Sequence, residues 1–289
     1  MKNRKRFSLD VSLKPGRCLL EGGQLDVLQR VLVEDAPEWA KQARVWRSRT
    51  EQWPVDLTKP NELVRAIHAY EAWRAPIKER YAKLFGDPRS RRFIGSIELQ
   101  AARRDDLTVL VSVDQHVLAR IADFWILGNW ITFQLRRSKV DGVDAAAWST
   151  KVFASLCEAL SPFYGEARMT GEYDKKNMIR EGGRVEAIGV DYSRHLPGLY
   201  WLNYFGEPYC GLIGRDRLLS APAREVRSAG KGILMRLADD PRMWSTEEYR
   251  SSEARVLEHI GTQYFFSRQD PKRKTVAPNF GDYLRGSGK

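Results

Sequence analysis

The chain has 289 residues, of which 43% are hydrophobic and 29% are charged, and its formal net charge is +11 at pH 7. These fractions are ordinary for a globular protein and exclude both a disordered chain and an integral membrane protein. Asp10 interrupts the first apolar run too early for a secretion signal, and the most apolar window, residues 122–133, is shorter than a membrane span. We therefore expect a cytoplasmic protein.

The positive charge is concentrated at the two ends of the sequence. Residues 2–6 and residues 271–289 each carry a net charge of +4, which leaves about +3 for the sequence between them. Both signs are interspersed in that intervening part, so no basic stripe suited to a nucleic-acid backbone is predicted. We interpret residues 1–6 and 271–289 as basic flexible ends of one domain that spans residues 7–270.

Hydrophobic periodicity predicts a mixture of strands and helices in the first half of the chain. The hairpin in this mixture is indicated by two alternating runs on either side of a polar turn at residues 103–106. The elements predicted in this half, in chain order, are a strand over 7–13, a helix around 25–32, a long helix over 61–84, a hairpin of 97–101 and 107–113, and a strand over 131–135.

The second half repeats this mixture. Ser245 and Glu248 are interpreted as a capping box for the last helix, and Gly261 is placed to end it. Because helices and hairpins do not alternate as βαβ units, we predict an α+β fold, a single domain with mainly antiparallel sheet and packed helices. The elements predicted in this half are a helix over 148–160, a strand over 163–168, a short helix over 172–179, strands over 185–191, 199–205 and 232–237, a helix up to His259, and a last strand over 262–267.

The sequence contains no recognised catalytic or cofactor-binding motif, so we expect no enzyme activity, no cofactor and no metal site. The glycine-containing run at 228–232 lacks both the upstream glycine and the hydroxyl residue of a phosphate-binding loop. Cys18, Cys157 and Cys210 are widely spaced and odd in number, which favours buried thiols over disulfides or zinc ligands.

One pattern keeps a metal-dependent nuclease as the weaker alternative hypothesis. Asp174 and Lys176 form an Asp-x-Lys pair, and Glu158 lies upstream at a distance found in restriction-type nucleases. The carboxylates would hold magnesium, and the lysine would steady the attacking hydroxide or the scissile phosphate. The context argues against this role, because residues 172–179 are predicted to form a short helix and not a core strand.

The stretch GLYWLNYFGEPYCGLIGRDRLLSAP at 198–222 is rich in aromatic residues. Alternation predicts that Trp201 and Phe205 pack in a core, and Glu207 with Pro208 suits the first turn of a helix. A strand that feeds a short helix through a tight turn accounts for this composition. An exposed aromatic platform for a partner is the alternative interpretation.

The same stretch resembles the signature of bacterial polymorphic-toxin immunity proteins, in particular the immunity protein 52 family, with a related type VI immunity family as its neighbour. Residues 128–142 and 145–167 agree with this resemblance, which covers roughly the latter two thirds of the chain. The resemblance implies a stoichiometric inhibitor that protects the producing cell and its kin. Because members of this family accompany toxins with a restriction-endonuclease-like domain, the implied partner is a nuclease effector of a type VI-like secretion system, encoded by the adjacent gene.

We thus expect the toxin to be the partner, and we expect the protein to bind neither a membrane nor a nucleic acid. The net positive charge argues against mimicry of nucleic-acid phosphates, so we expect occlusion of the toxin's active site or of a required conformational change or assembly. A nucleic-acid-binding protein that uses its basic ends is the alternative from another class. The candidate toxin contacts in the signature region are Tyr200, Trp201, Asn203, Tyr204, Glu207, Tyr209, Arg215 and Asp216.

Overall fold

Strands and helices build one large sheet with helices packed on it. The computed structural model of the chain describes residues 7–46, 52–85, 93–101, 107–114, 118–121, 124–136, 138–140 and 143–286. The strands of this part are β1 (Leu9–Lys14), β2 (Ala43–Trp46), β3 (Gln52–Val55), β4 (Phe93–Ala101), β5 (Leu107–Asp114), β6 (Leu118–Ile121), β7 (Phe124–Leu127), β8 (Trp130–Leu135), β9 (Lys139–Val140), β10 (Val143–Asp144), β11 (Tyr164–Met169), β12 (Met178–Glu181), β13 (Arg184–Ala187), β14 (Leu202–Phe205), β15 (Glu225–Ala229) and β16 (Gly232–Arg236). The helices are α1 (Gln24–Asp35), α2 (Pro37–Lys41), α3 (Glu62–Phe85), α4 (Ala145–Leu160), α5 (Thr170–Asn177), α6 (Glu207–Ile213), α7 (Arg215–Leu219), α8 (Glu247–Ile260) and α9 (Phe280–Gly286), with 3-10 turns at Pro241–Ser245 and Thr262–Tyr264.

Ten of the described strands form one antiparallel sheet in the order β15, β16, β14, β11, β1, β8, β5, β4, β2, β3. Strand β1 lies near the centre of this sheet, paired with β11 on one side and with β8 on the other. The predicted hairpin is confirmed as β4 and β5, and its turn at 103–106 lies outside the described residues. The α+β fold with a mainly antiparallel sheet is therefore confirmed.

The two faces of the sheet differ in composition, as the alternation in β1 predicts. Val11 faces one side with its cross-strand neighbours Phe133 and Ala167, and all three side chains are buried. The next residue, Ser12, faces the other side beside Glu166. One face is thus a hydrophobic core, and the other carries polar and charged groups.

Helix α4 packs on the hydrophobic face, against β1 and β11. Asp144 begins the helix by accepting hydrogen bonds from the backbone N–H groups of Ala146 and Ala147, which have no partner within the first turn. Trp148 then meets Phe133 of the sheet edge-on, with ring centroids 5.9 Å apart. The predicted helix over 148–160 is confirmed, and its apolar stripe is buried.

The predicted capping box of α8 is wrong by one residue. Ser245 ends a 3-10 turn, and Thr246 caps the helix through a hydrogen bond from the Tyr249 backbone N–H to its Oγ1 at 3.2 Å. The helix therefore begins at Glu247 and has Glu248 in its first turn. A carboxylate there is stabilised by the positive end of the helix dipole. Gly261 follows the last helical residue, as predicted.

The predicted last strand over 262–267 is also wrong. Thr262–Tyr264 is a 3-10 turn, and Phe265 makes one isolated parallel bridge with Leu196. The backbone groups here pair with a loop segment instead of a sheet edge, because Leu196 N–H donates to the Tyr264 carbonyl and its own carbonyl accepts from Phe266. Two further strands are shorter than predicted, since β13 ends at Ala187 and β14 begins at Leu202.

Residues 271–286, which were predicted to be part of a flexible end, pack against the rest of the chain. Phe280 is 3% exposed, and its ring stacks on Phe163 with centroids 5.4 Å apart. Arg273 donates hydrogen bonds to the carbonyls of Thr262 and Phe265 at 2.7 and 2.6 Å. The packed structure therefore continues past residue 270, whereas the predicted end at residues 1–6 lies outside the described part of the chain.

We predict that Trp201 acts mainly through stability. Its side chain is fully buried, and its indole N–H donates to the Ala238 carbonyl at 2.7 Å. Trp201→Ala is expected to lower the free energy of unfolding by about 3–5 kcal/mol in urea denaturation, and Phe205→Ala, also fully buried, by a similar amount. Trp125→Ala is the matched control with a small expected effect, because that side chain is 41% exposed. If Trp201→Ala is as stable as the parent but no longer binds the partner, the aromatic residues form a contact platform instead.

Candidate functional site

The signature stretch at 198–222 forms β14, α6 and α7. Glu207 and Pro208 occupy the first turn of α6, as predicted, because an acidic side chain suits the helix N-terminus and proline needs no donor there. Gly206 makes the turn between β14 and α6. A Cβ atom at this position would lie 2.0 Å from the Pro162 carbonyl oxygen, so the close approach of the two backbones requires glycine.

The structure separates the candidate toxin contacts into an interior group and a surface group. On the surface, Arg215 donates to the Lys231 carbonyl and to Ser228 Oγ, each at 3.2 Å, and so supports the turn between β15 and β16. This turn is the glycine-containing run at 228–232. The interior group is Tyr200, Trp201, Asn203, Tyr204 and Tyr209, and the surface group is Glu207, Arg215 and Asp216.

Asn203 fixes the backbone turn that precedes β14. Its Oδ1 accepts a hydrogen bond from the Tyr200 backbone N–H at 2.9 Å, and its Nδ2 donates to the Tyr200 carbonyl at 2.7 Å. The Tyr200 hydroxyl in turn donates to Asn177 Oδ1 at 2.5 Å, at the end of α5. If the stretch moved away from α5, these buried polar groups would lose their partners, at a cost of about 1–3 kcal/mol each. The hydrogen bonds therefore fix the position of the stretch against α5.

Tyr200 lies between two cationic side chains. The Arg168 guanidinium is 5.4 Å from the Tyr200 ring centroid and 4.1 Å from that of Tyr173, and Lys176 Nζ is 5.0 Å from the Tyr200 ring. Arg168 also pairs with Glu166 on the charged face of β11. Burial raises the pKa of the Tyr200 hydroxyl well above its ordinary value, so this group remains a neutral donor.

A buried cluster centred on Lys176 joins α5, the signature stretch and α8. Lys176 Nζ donates to Glu172 Oε1 at 2.8 Å, to Glu253 Oε1 at 2.6 Å and to the Leu199 carbonyl at 2.6 Å. The Tyr249 hydroxyl donates to the same Glu172 oxygen at 2.8 Å. An ammonium group has three N–H donors, so Lys176 has none left for a further ligand.

Burial and charge oppose each other in this cluster. Burial raises the pKa of the Glu172 carboxyl, and the Lys176 charge and the Tyr249 hydroxyl oppose that rise without cancelling it. Burial by itself lowers the pKa of Lys176, but Glu172 and Glu253 outweigh it, so the net pKa lies above the ordinary value. Glu172 Oε2 is buried without a hydrogen-bond partner in the described structure. The cluster is thus held together by its cation.

A cleft of about 360 Å³ lies beside this cluster. It is bounded by α5, residues 197–199, α8 and residues 265–269, and we call it the α5–α8 cleft. Its position next to the start of the signature stretch makes it the candidate binding site. The residues on which this assignment depends are Lys175 and Arg268, which are exposed, and Trp244, Leu257 and Phe266, which are half-buried.

The three residues of the nuclease hypothesis have separate partners. Glu158 on α4 pairs with Arg227 at 2.9 Å, Asp174 pairs with Arg180 at 3.0 Å, and Lys176 belongs to the buried cluster. The predicted helix is confirmed as α5 up to Asn177, whereas Met178 and Ile179 begin β12; Asp174 and Lys176 lie on the helix and do not project from a core strand. The partners of Lys176 were missed in the sequence. Glu172 could have been found from its i, i+4 helical spacing, but Glu253, 77 residues from Lys176, gives no local signal.

No group of three or more His, Cys, Asp or Glu side chains among the described residues could hold a metal ion. Cys18, Cys157 and Cys210 are buried and form no disulfide, as predicted. No helix in this part of the chain has both the length and the apolar character needed to cross a bilayer.

No protein-family model matches the sequence, and no curated protein was found to be significantly similar to it. A solved structure of a Pseudomonas aeruginosa T6SS protein is similar to this chain at 11% identity, with a TM-score of 0.47, and the match covers 96% of this chain and 82% of that one. This similarity establishes neither a shared family nor a function. The resemblance to the immunity protein 52 family stays a prediction.

We predict that Lys176 is needed for stability. Lys176→Met leaves the buried Glu172 and the half-buried Glu253 without their cation, and breaking a buried pair costs about 3–5 kcal/mol. Because the pKa of Glu172 is already raised and would rise further, protonation relieves the variant, so its deficit should be smaller near pH 5 than near pH 8. Urea denaturation at both pH values measures this difference.

The matched control for Lys176→Met is Lys175→Met, on the exposed neighbouring position of the same helix. It is expected to change the free energy of unfolding by no more than about 0.5 kcal/mol at either pH. A Lys176→Met variant as stable as this control would contradict the role assigned to the cluster.

We predict that the protein does not cleave nucleic acid, because Glu158, Asp174 and Lys176 are each bound to other residues. The measurement is incubation of the purified protein with DNA and with RNA in magnesium or manganese. Turnover that Asp174→Asn abolishes would restore the nuclease hypothesis.

Proposed function

We propose that the protein is an immunity protein that binds and neutralises a cognate secreted toxin in the cytosol. The toxin is a nuclease effector of a type VI-like secretion system. The observation that carries this proposal is the signature stretch at 198–222, which is folded as one bonded and packed unit. Its polar residues act on the protein's own backbone, as Asn203 does on Tyr200, which suits a scaffold that presents surfaces to a partner.

The internal use of charged groups supports a binding role over a catalytic one. The Lys176 ammonium group donates its three hydrogen bonds to Glu172, Glu253 and the Leu199 carbonyl. Asp174 is paired on the surface with Arg180. A catalytic lysine or carboxylate needs a free lone pair or proton directed at a substrate. The residues that looked most like a reaction centre therefore stabilise the fold.

The charge of the chain bears on how a nuclease would be inhibited. With a formal net charge of +11, the protein would not imitate a polyanion. Inhibition then proceeds by covering the toxin's active site, or by blocking a conformational change or assembly step that the toxin requires. Either mode needs a surface complementary to a protein and not to a phosphate backbone.

The alternative is a nucleic-acid-binding protein that uses its basic ends. Part of that charge is engaged within the structure, because Arg273 donates to two backbone carbonyls. Lys272 and Lys274 beside it are exposed and remain open to phosphates. The two functions therefore differ in whether these exposed charges are needed.

We predict that a variant without residues 1–6 and with Lys272→Gln and Lys274→Gln still rescues cells that express the toxin of the adjacent gene in the cytosol. This variant removes charge at both ends of the sequence, including the exposed Lys272 and Lys274, and keeps Arg273 and Phe280, which pack within the structure. Rescue of growth is measured together with a binding titration against the toxin at low and moderate salt. Any weak affinity for nucleic acid at low salt should fall, because phosphate binding depends on these cations.

The parent protein is the control in both measurements. Loss of rescue and of toxin binding in a variant that keeps the parent's melting temperature would identify the basic ends as the functional surface. A parent protein that neither rescues growth nor binds the toxin would sink the proposed function itself.

A further inference from the structure

The α5–α8 cleft combines apolar walls with uncompensated positive charge at its rim. Trp244, Leu257 and Phe266 contribute half-buried hydrophobic surface inside it. Lys175 and Arg268 lie side by side at its edge, where Arg268 donates to the Lys175 carbonyl at 2.7 Å. The cleft thus offers a place for an apolar side chain directly beside two cations.

The two rim cations have no carboxylate partner among the described residues, in contrast to their neighbours. Lys176 is bound by Glu172 and Glu253, and the other arginine at the cleft, Arg250, pairs with Glu247 at 2.9 Å. Lys176 has no donor left, so it cannot bind a further carboxylate. The attraction for an anionic group therefore comes from Lys175 and Arg268.

We propose that this cleft docks an acidic segment of a protein partner, with an apolar side chain of that segment against Trp244, Leu257 and Phe266. The partner is the toxin, and to that extent the inference rests on the proposed function. Carboxylates of the segment would pair with Lys175 and Arg268, while the Lys176 cluster holds the cleft in shape before binding. Such preorganisation reduces the entropy lost on association.

A nucleic-acid backbone fits this cleft less well than an acidic protein segment does. Phosphate binding needs a series of cations along a track, and here the other two cations of the cleft, Lys176 and Arg250, are already paired with the carboxylates of Glu253 and Glu247. The half-buried apolar walls also match side chains of a protein. A nucleic acid is therefore the competing outcome of the test.

The test compares two charge reversals of equal size. Lys175→Glu/Arg268→Glu alters the α5–α8 cleft, and Arg224→Glu/Arg255→Glu alters a second cleft of about 360 Å³ that those arginines line. We expect the first variant to weaken binding of the adjacent-gene toxin by roughly tenfold or more, and the control to change it by less than about threefold. If the first variant loses its parent melting temperature, Lys175→Gln/Arg268→Gln replaces it.

A second arm does not depend on the toxin. A fluorescent blocked peptide, Asp-Glu-Leu-Trp-Glu-Asp, is titrated against both variants and the parent by anisotropy, beside its lysine-for-acid counterpart and a labelled oligothymidylate. Saturable binding of the acidic peptide to the parent and to the control, but not to the first variant, is expected.

The outcomes separate this inference from the proposed function. Equal toxin binding by the parent and the cleft variant would overturn the docking site and leave the proposed function standing. If the parent does not bind the toxin, the proposed function fails, and the peptide arm alone decides the inference. No peptide binding, or tighter binding of oligothymidylate than of the acidic peptide, would overturn it.

Discussion

The contact on which the rest of the structure depends is the pairing of the Lys176 ammonium group with Glu172, Glu253 and the Leu199 carbonyl. Removing these charges from water costs several kcal/mol per ion, and the cost is offset only when the geometry supplies all the hydrogen bonds. That condition is met when α5, the start of the signature stretch and α8 are all in place. Three segments that are distant in sequence are therefore locked together, and the α5–α8 cleft lies between them.

The position of Tyr200 in the signature stretch is related to the charged face of the sheet. Strand β11 presents Glu166 and Arg168 on the face opposite the hydrophobic core, and both are removed from solvent by what lies over them. Tyrosine suits this position, because its ring stacks on a guanidinium group while its hydroxyl reaches a polar partner. The rings of Tyr173 and Tyr200 lie against the Arg168 guanidinium, and the Tyr200 hydroxyl donates to Asn177. The tyrosines thus add cation–π contacts to the Arg168–Glu166 ion pair, which aliphatic side chains would not supply.

Hydrophobic periodicity predicts those strands and helices in which the spacing of apolar residues within the element shows which face is buried. The strand at 7–13 and the helix at 148–160 were predicted because alternation and helical spacing report directly on which face is buried. The strand predicted over 262–267 is wrong, because its apolar residues belong to a 3-10 turn and to a segment with a single bridge to Leu196. This segment does not pair with an edge of the sheet. The role of Lys176 was missed for a related reason. Its Asp-x-Lys spacing is a local pattern, but its chemistry is set by Glu253, which the fold brings from a distant helix.

The formal charge of +11 is a sum over the whole chain, and a partner of this protein contacts only part of it. Arg168 and Lys176 are paired with carboxylates that this sum already includes, and the Arg273 guanidinium is directed at backbone carbonyls of its own chain. Beyond about 8–10 Å, exposed charges are screened at physiological salt, so recognition responds to the local arrangement and not to the total. A cation matters most where the fold supplies no carboxylate for it and places apolar surface beside it. Lys175 and Arg268 at the α5–α8 cleft meet both conditions, so binding specificity there would arise from the fold and not from the overall composition.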